Sequence, residues 1–276
     1  MKLFLKTKDF FSSQESFELH HDETLDMLVT KPVPLDLSKY YENDAYISHT
    51  DSNKGLLNKV YLKVKNYSLK KKVVLIDSFG ATKKTLLDVG AGTGDFLLAA
   101  KKANWNVSGV EPNKTAQKRA SEKGISLEER LDVFSGEKFE VITLWHVLEH
   151  LPDLEEQIKL VNSLLEDEGT LIVAVPNFKS YDAEHYGKFW AAYDVPRHLW
   201  HFSKTAIQLL FEKRQMKLVQ IKPMLFDSFY VSLLSEKYQN GRQNIFKAFW
   251  IGLWSNLKAY QTKEYSSHIY ILQKMH

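Results

Sequence analysis

Hydrophobic and polar positions follow different patterns on either side of about residue 80. From Thr85 onward, short apolar runs alternate with segments in which apolar residues recur at helical spacing. Strands that alternate with helices require crossover connections, so this part predicts an α/β fold with a doubly wound, mostly parallel sheet and helices on both faces. The predicted strands are 85–89, 106–110, 140–145, 170–175, 217–222 and the C-terminal HIYILQK, and the predicted helices are 95–103, 114–123, 154–166 and 203–213.

Residues 1–80 predict an N-terminal accessory segment of α+β type. Runs at 17–20 and 25–30, separated by a polar turn, predict a hairpin. Apolar positions from Leu56 to Tyr67 recur at helical spacing and predict a long helix. The rest of the chain, 81–276, predicts one main domain with insertions at about 177–202 and 224–266 that form a helical, aromatic cap.

Composition and charge narrow the class of protein. Hydrophobic residues make up 44% of the 276 residues and charged residues 26%, which is typical of a soluble globular protein. A net charge of +3, spread along the chain, argues against a nucleic-acid-binding protein, and the absence of cysteine excludes disulfides, thiolate metal sites and cysteine nucleophiles. No apolar stretch approaches the roughly 20 residues of a membrane-spanning helix, and the N-terminus lacks signal-peptide features, so we expect a cytoplasmic protein without integral membrane association.

A glycine-rich turn joins the first of these strands to its helix in the stretch TLLDVGAGTGDFLL, residues 85–98. Gly90, Gly92 and Gly94 allow the backbone to turn tightly and let a ligand lie against the main chain. The dinucleotide fingerprint has glycine where this chain has Asp95, and a carboxylate there would repel a pyrophosphate, so NAD is disfavoured. The Gly-Lys-Ser/Thr ending of a phosphate-binding loop is missing too, which disfavours a nucleoside triphosphate.

Two acidic residues at strand ends indicate another ligand. Asp88, at the end of the first strand, can pair with an ammonium group, and Glu111, at the end of the second, can accept both hydroxyls of a ribose. Ligands of open parallel sheets bind beyond the carboxyl ends of the strands, where these two residues meet. Together they favour a nucleoside that carries an amino acid and no phosphate.

Four motifs in order, LLDVGAGTGDFL, GVEPN, LWHVLEHLPD and GTLIVAVPN, resemble those of class I S-adenosylmethionine-dependent methyltransferases. The resemblance implies S-adenosylmethionine as cofactor and, for residues 81–276, a Rossmann-like catalytic domain with a seven-stranded sheet. Downstream, YDVPRHLWHFS is similar to a small-molecule subgroup of ubiquinone-biosynthesis-like and sugar-methylating enzymes. The cofactor-binding residues that we expect are Asp88, Gly90, Ala91, Gly92, Gly94, Glu111, Pro112, Leu144, Trp145 and His146.

Three histidines, His146, His198 and His201, are candidates for the catalytic base that a hydroxyl or carbon acceptor requires. The alternative for each is a packing or hydrogen-bonding role. His146, Glu149 and His150 lie three and four residues apart, and similar ubiquinone-pathway enzymes place metal ligands in this region. Because His146 stands where a carboxylate is usual there, and Mg²⁺ prefers oxygen ligands, we assign no metal ligand.

The insertion at 177–202 predicts a long loop without regular structure that acts as a lid over an organic substrate. Trp190, Tyr193 and Arg197 offer flat surfaces with polar ends, and we place Tyr46 and His49 on the other side of the same pocket. The alternative for the insertion is a satellite hydrophobic cluster. These side chains favour an aromatic, sugar-like or lipid-like acceptor.

The second insertion contains NIFKAFWIGLWSNLKAY, whose large apolar side chains share one helical face flanked by Lys247 and Lys258. One interpretation is a face that packs in a cap or in a homodimer interface. The other is a face that lies on a membrane surface and admits a lipid-like acceptor.

We therefore expect an S-adenosylmethionine-dependent methyltransferase of a small organic acceptor, with O-methylation favoured over C-methylation. Methylation of an amine on a nucleic-acid base is disfavoured, because relatives that perform it carry Asn/Asp-Pro-Pro-Tyr/Phe where this chain has LWHVLE. Two alternatives stay open: a scaffold or sensor that binds the cofactor without turnover, and an NAD-dependent oxidoreductase.

Overall fold

A computed structural model describes residues 1–41 and 56–275, with side chains described for 1–41 and 62–275. The strands are β1 (Lys2–Lys8), β2 (Ser16–Asp22), β3 (Met27–Lys31), β4 (Thr85–Val89), β5 (Asn106–Val110), β6 (Phe139–Trp145), β7 (Leu165–Pro176), β8 (Trp200–His201), β9 (Met216–Pro223) and β10 (Ser267–Lys274). The helices are α1 (Leu56–Asp77), α2 (Asp95–Lys102), α3 (Lys114–Ser121), α4 (Leu154–Leu164), α5 (Tyr181–Tyr186), α6 (Lys204–Glu212), α7 (Asp227–Asn240) and α8 (Ile245–Thr262).

The alternation of strands and helices predicted from Thr85 onward is confirmed. Strands β4 and β5 have the predicted bounds, and most other ends differ by one or two residues. The largest difference is at β7, which begins at Leu165, because the three residues that follow Leu165 are charged and interrupt the apolar pattern.

The larger sheet has six strands within the described residues, in the order β5-β4-β6-β7-β10-β9, and β4 is parallel to both β5 and β6. The predicted number was seven, so the described residues hold one strand fewer than expected. Beyond the end strand β5, the part of the chain that the structure describes adds one bridge, between Val110 and Glu128. There the Glu128 N–H donates to the Gly109 carbonyl and the Glu111 N–H donates to the Glu128 carbonyl, both at 2.9 Å. The residues that follow Glu128 are charged, so no apolar run extends the pairing.

Tertiary contacts group the chain into two compact units. The first comprises Met1–Asn43, His146–Leu154 and Ala174–Tyr270, and the second comprises Asp44–Trp145, Glu155–Val173 and Ile271–His276. The domain boundary at about residue 80 stays a prediction. In the second unit, β4 and β6 read as nearly continuous apolar runs because their side chains are buried on both faces of the sheet.

The first unit contains a four-stranded sheet of order β1-β2-β3-β8. The predicted hairpin is confirmed, because β2 and β3 pair antiparallel from Glu18 opposite Lys31 to Asp22 opposite Met27. On the other side of β3, Val29 pairs with Trp200 of β8. A strand from the N-terminal segment therefore pairs with a strand from the insertion at 177–202.

The insertion at 177–202 has regular structure, so the expectation of a loop without it is wrong. It holds α5, two 3-10 turns at Gly187–Phe189 and Ala191–Tyr193, and β8. Its aromatic side chains join the apolar side chains of the N-terminal strands in one buried cluster, which accounts for the order in this segment. Members of the cluster include Phe17, Leu19, Leu28, Tyr40, Tyr186, Trp190 and Tyr193.

The second insertion forms the helix pair α7 and α8, as the prediction of a helical cap implies. Among the described residues, none of the helices combines the length and the hydropathy needed to cross a membrane.

Candidate functional site

The glycine turn of the second unit joins β4 to α2 with a backbone that only glycine adopts readily. Gly90, Gly92 and Gly94 have φ values of 72°, 54° and 73°. A Cβ built on Gly92 would meet no heavy atom within 4 Å, so the space above this residue is open to a ligand. Ala91, between the glycines, donates its N–H to the Val110 carbonyl at 2.8 Å and so ties the turn to β5.

Asp95 begins α2 and does not cap it. The N-cap is Gly94, in the left-handed conformation and without a side-chain bond. The Asp95 carboxylate instead pairs with Lys123 at 2.6 Å and with Lys65 at 2.7 Å. Burial alone would raise the pKa of Asp95, but these two ammonium groups outweigh it and lower the pKa.

Asp88 is buried at the end of β4, and its Oδ1 accepts a hydrogen bond from Thr143 Oγ1 of β6 at 2.6 Å. Burial raises the pKa of Asp88 to about 7, although the bond from Thr143 favours the ionised form. A ligand ammonium would supply the positive partner that this carboxyl needs when it is ionised.

Glu111 follows β5, and two backbone groups fix its carboxylate. The Gly92 N–H donates to Oε2 at 2.8 Å and the Asn113 N–H donates to Oε1 at 2.9 Å. Burial raises the pKa of Glu111, and the two backbone bonds oppose that rise. Both oxygens retain lone pairs that can accept ribose hydroxyls. Pro112, the next residue, is exposed.

At the end of β6, Leu144 is buried and Trp145 provides an aromatic surface. The Lys72 ammonium lies 4.1 Å from the Trp145 ring centroid, and Phe96 packs edge-on at 5.7 Å. The indole Nε1 is buried and has no hydrogen-bond partner among the described residues. Such an unsatisfied donor fits a site whose ligand carries acceptors, as S-adenosylmethionine does.

His146 belongs to the first unit, and carboxylates lie beside both of its ring nitrogens. Its Nε2 lies 3.0 Å from Asp227 Oδ2, and its Nδ1 lies 3.4 Å from Glu149 Oε1. Burial would lower the pKa of His146, but the two carboxylates outweigh it and raise the pKa to about 10. The imidazole is therefore a cation at neutral pH, and it can accept a proton only after losing its own.

The other two predicted bases are buried and bonded to the protein. His198 Nδ1 donates to the Ala192 carbonyl at 2.8 Å, which leaves the lone pair on Nε2. His201 Nε2 lies 3.0 Å from Thr30 Oγ1, whose own proton goes to the His198 carbonyl at 2.6 Å, so His201 is the donor in this pair. Burial and the nearby His198 hold the pKa of His201 well below its ordinary value.

Glu149, His150 and His198 form a group able to hold a metal ion, since one ligand atom from each lies within 4.8 Å of the others. His150 Nδ1 lies 3.0 Å from the Arg197 carbonyl, so Nε2 carries its lone pair as in His198. His146 Nδ1, 3.4 Å from Oε1, is an ion-pair partner of Glu149, but neither buried Glu149 oxygen accepts a well-formed hydrogen bond from a described residue. The sequence spacing grouped His150 with His146 as possible metal ligands, whereas in the fold the ligand atom of His150 lies near that of His198. Two imidazoles and one carboxylate suit a transition metal better than Mg²⁺.

Residues 64–221, more than half of the 276-residue chain, match the family model described as "Methyltransferase domain". The chain belongs to this methyltransferase family. A ubiquinone biosynthesis O-methyltransferase of Actinobacillus pleuropneumoniae serotype 7 (strain AP76) is 32% identical to it over 137 residues, 44% of this chain and 58% of that protein. One from Histophilus somni (strain 2336) is 35% identical over 118 residues, 37% of this chain and 50% of that protein. The chain spans 50–58% of the length of these curated relatives.

A solved structure confirms the predicted Rossmann-like fold of this chain. The magnesium protoporphyrin IX methyltransferase of Synechocystis PCC 6803 with bound SAH aligns with a TM-score of 0.56 at 14% identity, over 86% of this chain and 99% of that chain.

The predicted substrate-binding residues that lie within the described residues are buried and contact the protein itself. Trp190 Nε1 donates to Asp182 Oδ2 at 2.7 Å, and Tyr193 stacks edge-on against Trp190 at 5.0 Å. Arg197 pairs with Asp9 at 3.0 Å and with Asp194 at 2.6 Å. The predicted residues Tyr46 and His49 lie outside the described residues.

Three residues that bond to the predicted site residues were not predicted from the sequence. Thr143 carried a local signal, because it is the one hydroxyl in the buried run VITLW and needs a partner there. Asp227, which pairs with His146, and Thr30, which pairs with His201, carried none, because each meets its histidine only through the fold.

Proposed function

We propose that this chain transfers a methyl group from S-adenosylmethionine to a small organic acceptor, with a hydroxyl oxygen favoured over carbon. The observation that carries the proposal is the pair of carboxylates, Asp88 and Glu111, at the ends of neighbouring parallel strands beside an open glycine turn. One carboxylate suits an ammonium group and the other a ribose. The relatives' designation as O-methyltransferases supports the oxygen acceptor.

The sulfonium of bound S-adenosylmethionine supplies an electrophilic methyl group. The protein must then bind the cofactor and the acceptor, align them and exclude water. Asp88 holds the amino-acid end of the cofactor, and Glu111, already fixed by two backbone N–H groups, receives the ribose hydroxyls. The unsatisfied Trp145 Nε1 offers a further donor to the cofactor.

A hydroxyl acceptor must lose a proton during transfer, and we propose His198 as the first of the three predicted bases to test. Its Nε2 keeps a lone pair, whereas both nitrogens of His146 face carboxylates and His201 uses Nε2 as a donor. The Asp194 carboxylate, 4.0 Å from His198 Nε2, can stabilise the imidazolium that would form. His146 and His201 remain catalytic candidates in this proposal.

Calorimetric titration with S-adenosylmethionine, S-adenosylhomocysteine and NAD tests the cofactor proposal. We expect the first two to bind, NAD not to bind, and Asp88→Ala and Glu111→Ala each to weaken binding by on the order of tenfold or more, since each loses a charge-assisted contact. Glu129→Ala is the matched control, because Glu129 is an exposed carboxylate that pairs only with Lys114 in the described residues. Binding of NAD alone, or equal weakening by Glu129→Ala, contradicts the proposal.

Release of S-adenosylhomocysteine in the presence of aromatic, sugar-like or lipid-like hydroxyl compounds then tests turnover. We expect release with one of these classes and its loss in His198→Gln. Cofactor binding without release in any cell extract would favour a scaffold or sensor.

A further inference from the structure

Helix α8 has an unusual distribution of side chains, with its small residues facing inward and its large apolar residues facing outward. Ala248, Gly252, Ser255 and Ala259 are buried. Gly252 lies so close to α7 that an added Cβ would approach the Phe229 Cα to 2.9 Å. The helix therefore packs through its backbone, and the burial of apolar side chains does not explain its sequence.

The outward side of α8 carries what we call the aromatic face: Phe246, Phe249, Trp250, Trp254, Leu257 and Tyr260. Exposure reaches 83% at Phe246 and is 63% at Trp250, 50% at Trp254 and 73% at Tyr260. Nearby on α7 and just before it, Tyr230 and Phe226 are also exposed, at 45% and 43%. Soluble proteins rarely expose a contiguous apolar surface of this kind, and where one is exposed it marks an interaction site.

The charges around the aromatic face are almost entirely basic. Between Asp227 and Lys263 the chain has five basic residues, Lys237, Arg242, Lys247, Lys258 and Lys263, and two acidic ones, Asp227 and Glu236. Both acidic residues face the protein and have cationic partners: Asp227 pairs with His146 at 3.0 Å, and Glu236 pairs with Lys247 at 2.8 Å. Helix α8 itself has no acidic residue.

The basic residues border the aromatic face. Lys247 lies one turn before Trp250, and Lys258 lies one turn after Trp254, so both lie beside the apolar side chains. Trp and Tyr, with an apolar ring and a polar group, are the side chains that prefer the boundary between lipid headgroups and acyl chains. A helix of 18 residues, about 27 Å long, can lie flat in that boundary with its aromatic face down.

We propose that the aromatic face of α8 binds the surface of a bilayer that contains anionic lipid, with Trp250 and Trp254 inserted and the Lys258 ammonium on the headgroups, while Lys247 stays paired with Glu236. The charge pattern decides between occupants. A second copy of this chain would bring the same basic rim against itself, whereas an anionic lipid surface complements it. This proposal does not depend on the identity of the methyl acceptor.

Vesicle flotation of the full chain tests the proposal, with neutral phosphatidylcholine vesicles and with vesicles that also contain phosphatidylglycerol. We expect flotation with the anionic vesicles and its decline as salt screens the lysines. The variant Trp250→Gln/Trp254→Gln should lower the partition coefficient by on the order of tenfold per tryptophan. Tyr67→Gln is the matched control, since Tyr67 is an aromatic residue of similar exposure on α1.

Quenching by lipids brominated along the acyl chains gives a second measurement, because only an inserted tryptophan lies close to the bromine atoms. We expect quenching in the wild-type chain and its loss in the double variant, whose thermal unfolding should match the wild type because both positions are exposed. Absence of flotation, or flotation undiminished in the double variant, overturns the proposal. A wild-type dimer that the double variant makes monomeric also overturns it, and would assign the face to an interface between copies.

Discussion

Asp88 is a buried carboxyl, and the role that we propose for it, the binding of a ligand ammonium, requires it to be ionised. Its pKa of about 7 means that the unliganded protein holds a proton there at mildly acidic pH. A ligand ammonium needs the carboxylate. The binding of the cofactor and the release of that proton are therefore coupled.

This coupling predicts a pH-dependent affinity for S-adenosylhomocysteine. At pH 6 roughly one carboxyl in ten is ionised if the pKa is about 7, so we expect the affinity measured by calorimetry to be about tenfold lower at pH 6 than at pH 8. Asp88→Asn should bind more weakly and with a flat pH profile. An unchanged slope in that variant would show that another group titrates.

The same carboxyl affects stability with a defined sign. The folded chain holds the Asp88 proton up to about pH 7 and the unfolded chain releases it near 3.8, so the contribution of Asp88 to stability falls as pH rises through that window. We expect the melting temperature of Asp88→Asn, relative to wild type, to be higher at pH 8 than at pH 5. A difference between the two proteins that does not change with pH contradicts this expectation.

His146 has the opposite relation to pH, because its partners raise its pKa. It is protonated in both folded and unfolded chains below 6.5, so the pairing stabilises fully there, and that contribution is lost as pH rises through about 10. Asp227→Asn should therefore lower stability by about 1 kcal/mol at pH 6, a small value because the ring is partly exposed to solvent, and by much less at pH 10.5. Histidine NMR titration should show the pKa falling in the variant.

At the scale of elements, the apolar pattern was sufficient for the larger sheet and insufficient for its edge. Strands β4 and β6 are buried on both faces, so the hydrophobicity of LLDV and VITLW is sufficient to predict them as strands. The bridge at Glu128 is made by backbone groups in a polar segment, and pairing through the backbone requires no particular side chains that a sequence pattern could show. The number of strands could therefore not be read from the sequence.

The insertion at 177–202 shows why an aromatic segment is hard to interpret from sequence. The residue types of Trp190, Tyr193 and Arg197 fit a substrate lid, and they fit equally well a buried core whose polar groups are hydrogen-bonded. What distinguishes the two is the position of Asp182 and Asp9, which bond to Trp190 and Arg197. Asp9 is 188 residues away in the chain, so no local pattern could reveal it.

The close contact of α7 and α8 predicts that Gly252→Ala destabilises the chain, although alanine is the better helix former by about 1 kcal/mol. The added Cβ would approach the Phe229 backbone, which cannot move aside as a flexible side chain can, and we expect a net loss of about 1–3 kcal/mol. Thermal unfolding measures it, with the exposed Gln261→Ala as control. A stabilised Gly252→Ala variant would mean that the two helices separate easily.

At the scale of the whole molecule, the predicted boundary near residue 80 can be tested by truncation. Strand β3 pairs with β8, and Phe17, Leu19 and Leu28 share a buried cluster with Trp190. A chain of residues 81–276 would expose that cluster and leave Arg197 without Asp9. We expect it to aggregate or to unfold without cooperativity in calorimetry. A soluble, cooperatively folding 81–276 chain would support an independent accessory segment.

The pairing of β3 with β8 also sets the order in which the protein can fold as it is made. Thr30 bonds to His198, 168 residues later. At ribosomal speeds, roughly 8–35 s pass between the synthesis of these two residues. Throughout that time the apolar strand Met27–Lys31 has one edge without its native neighbour, and an open edge of this kind pairs with other chains. The nascent chain therefore needs protection at Met27–Lys31 until Trp200 and His201, the residues that pair with this strand, have been made.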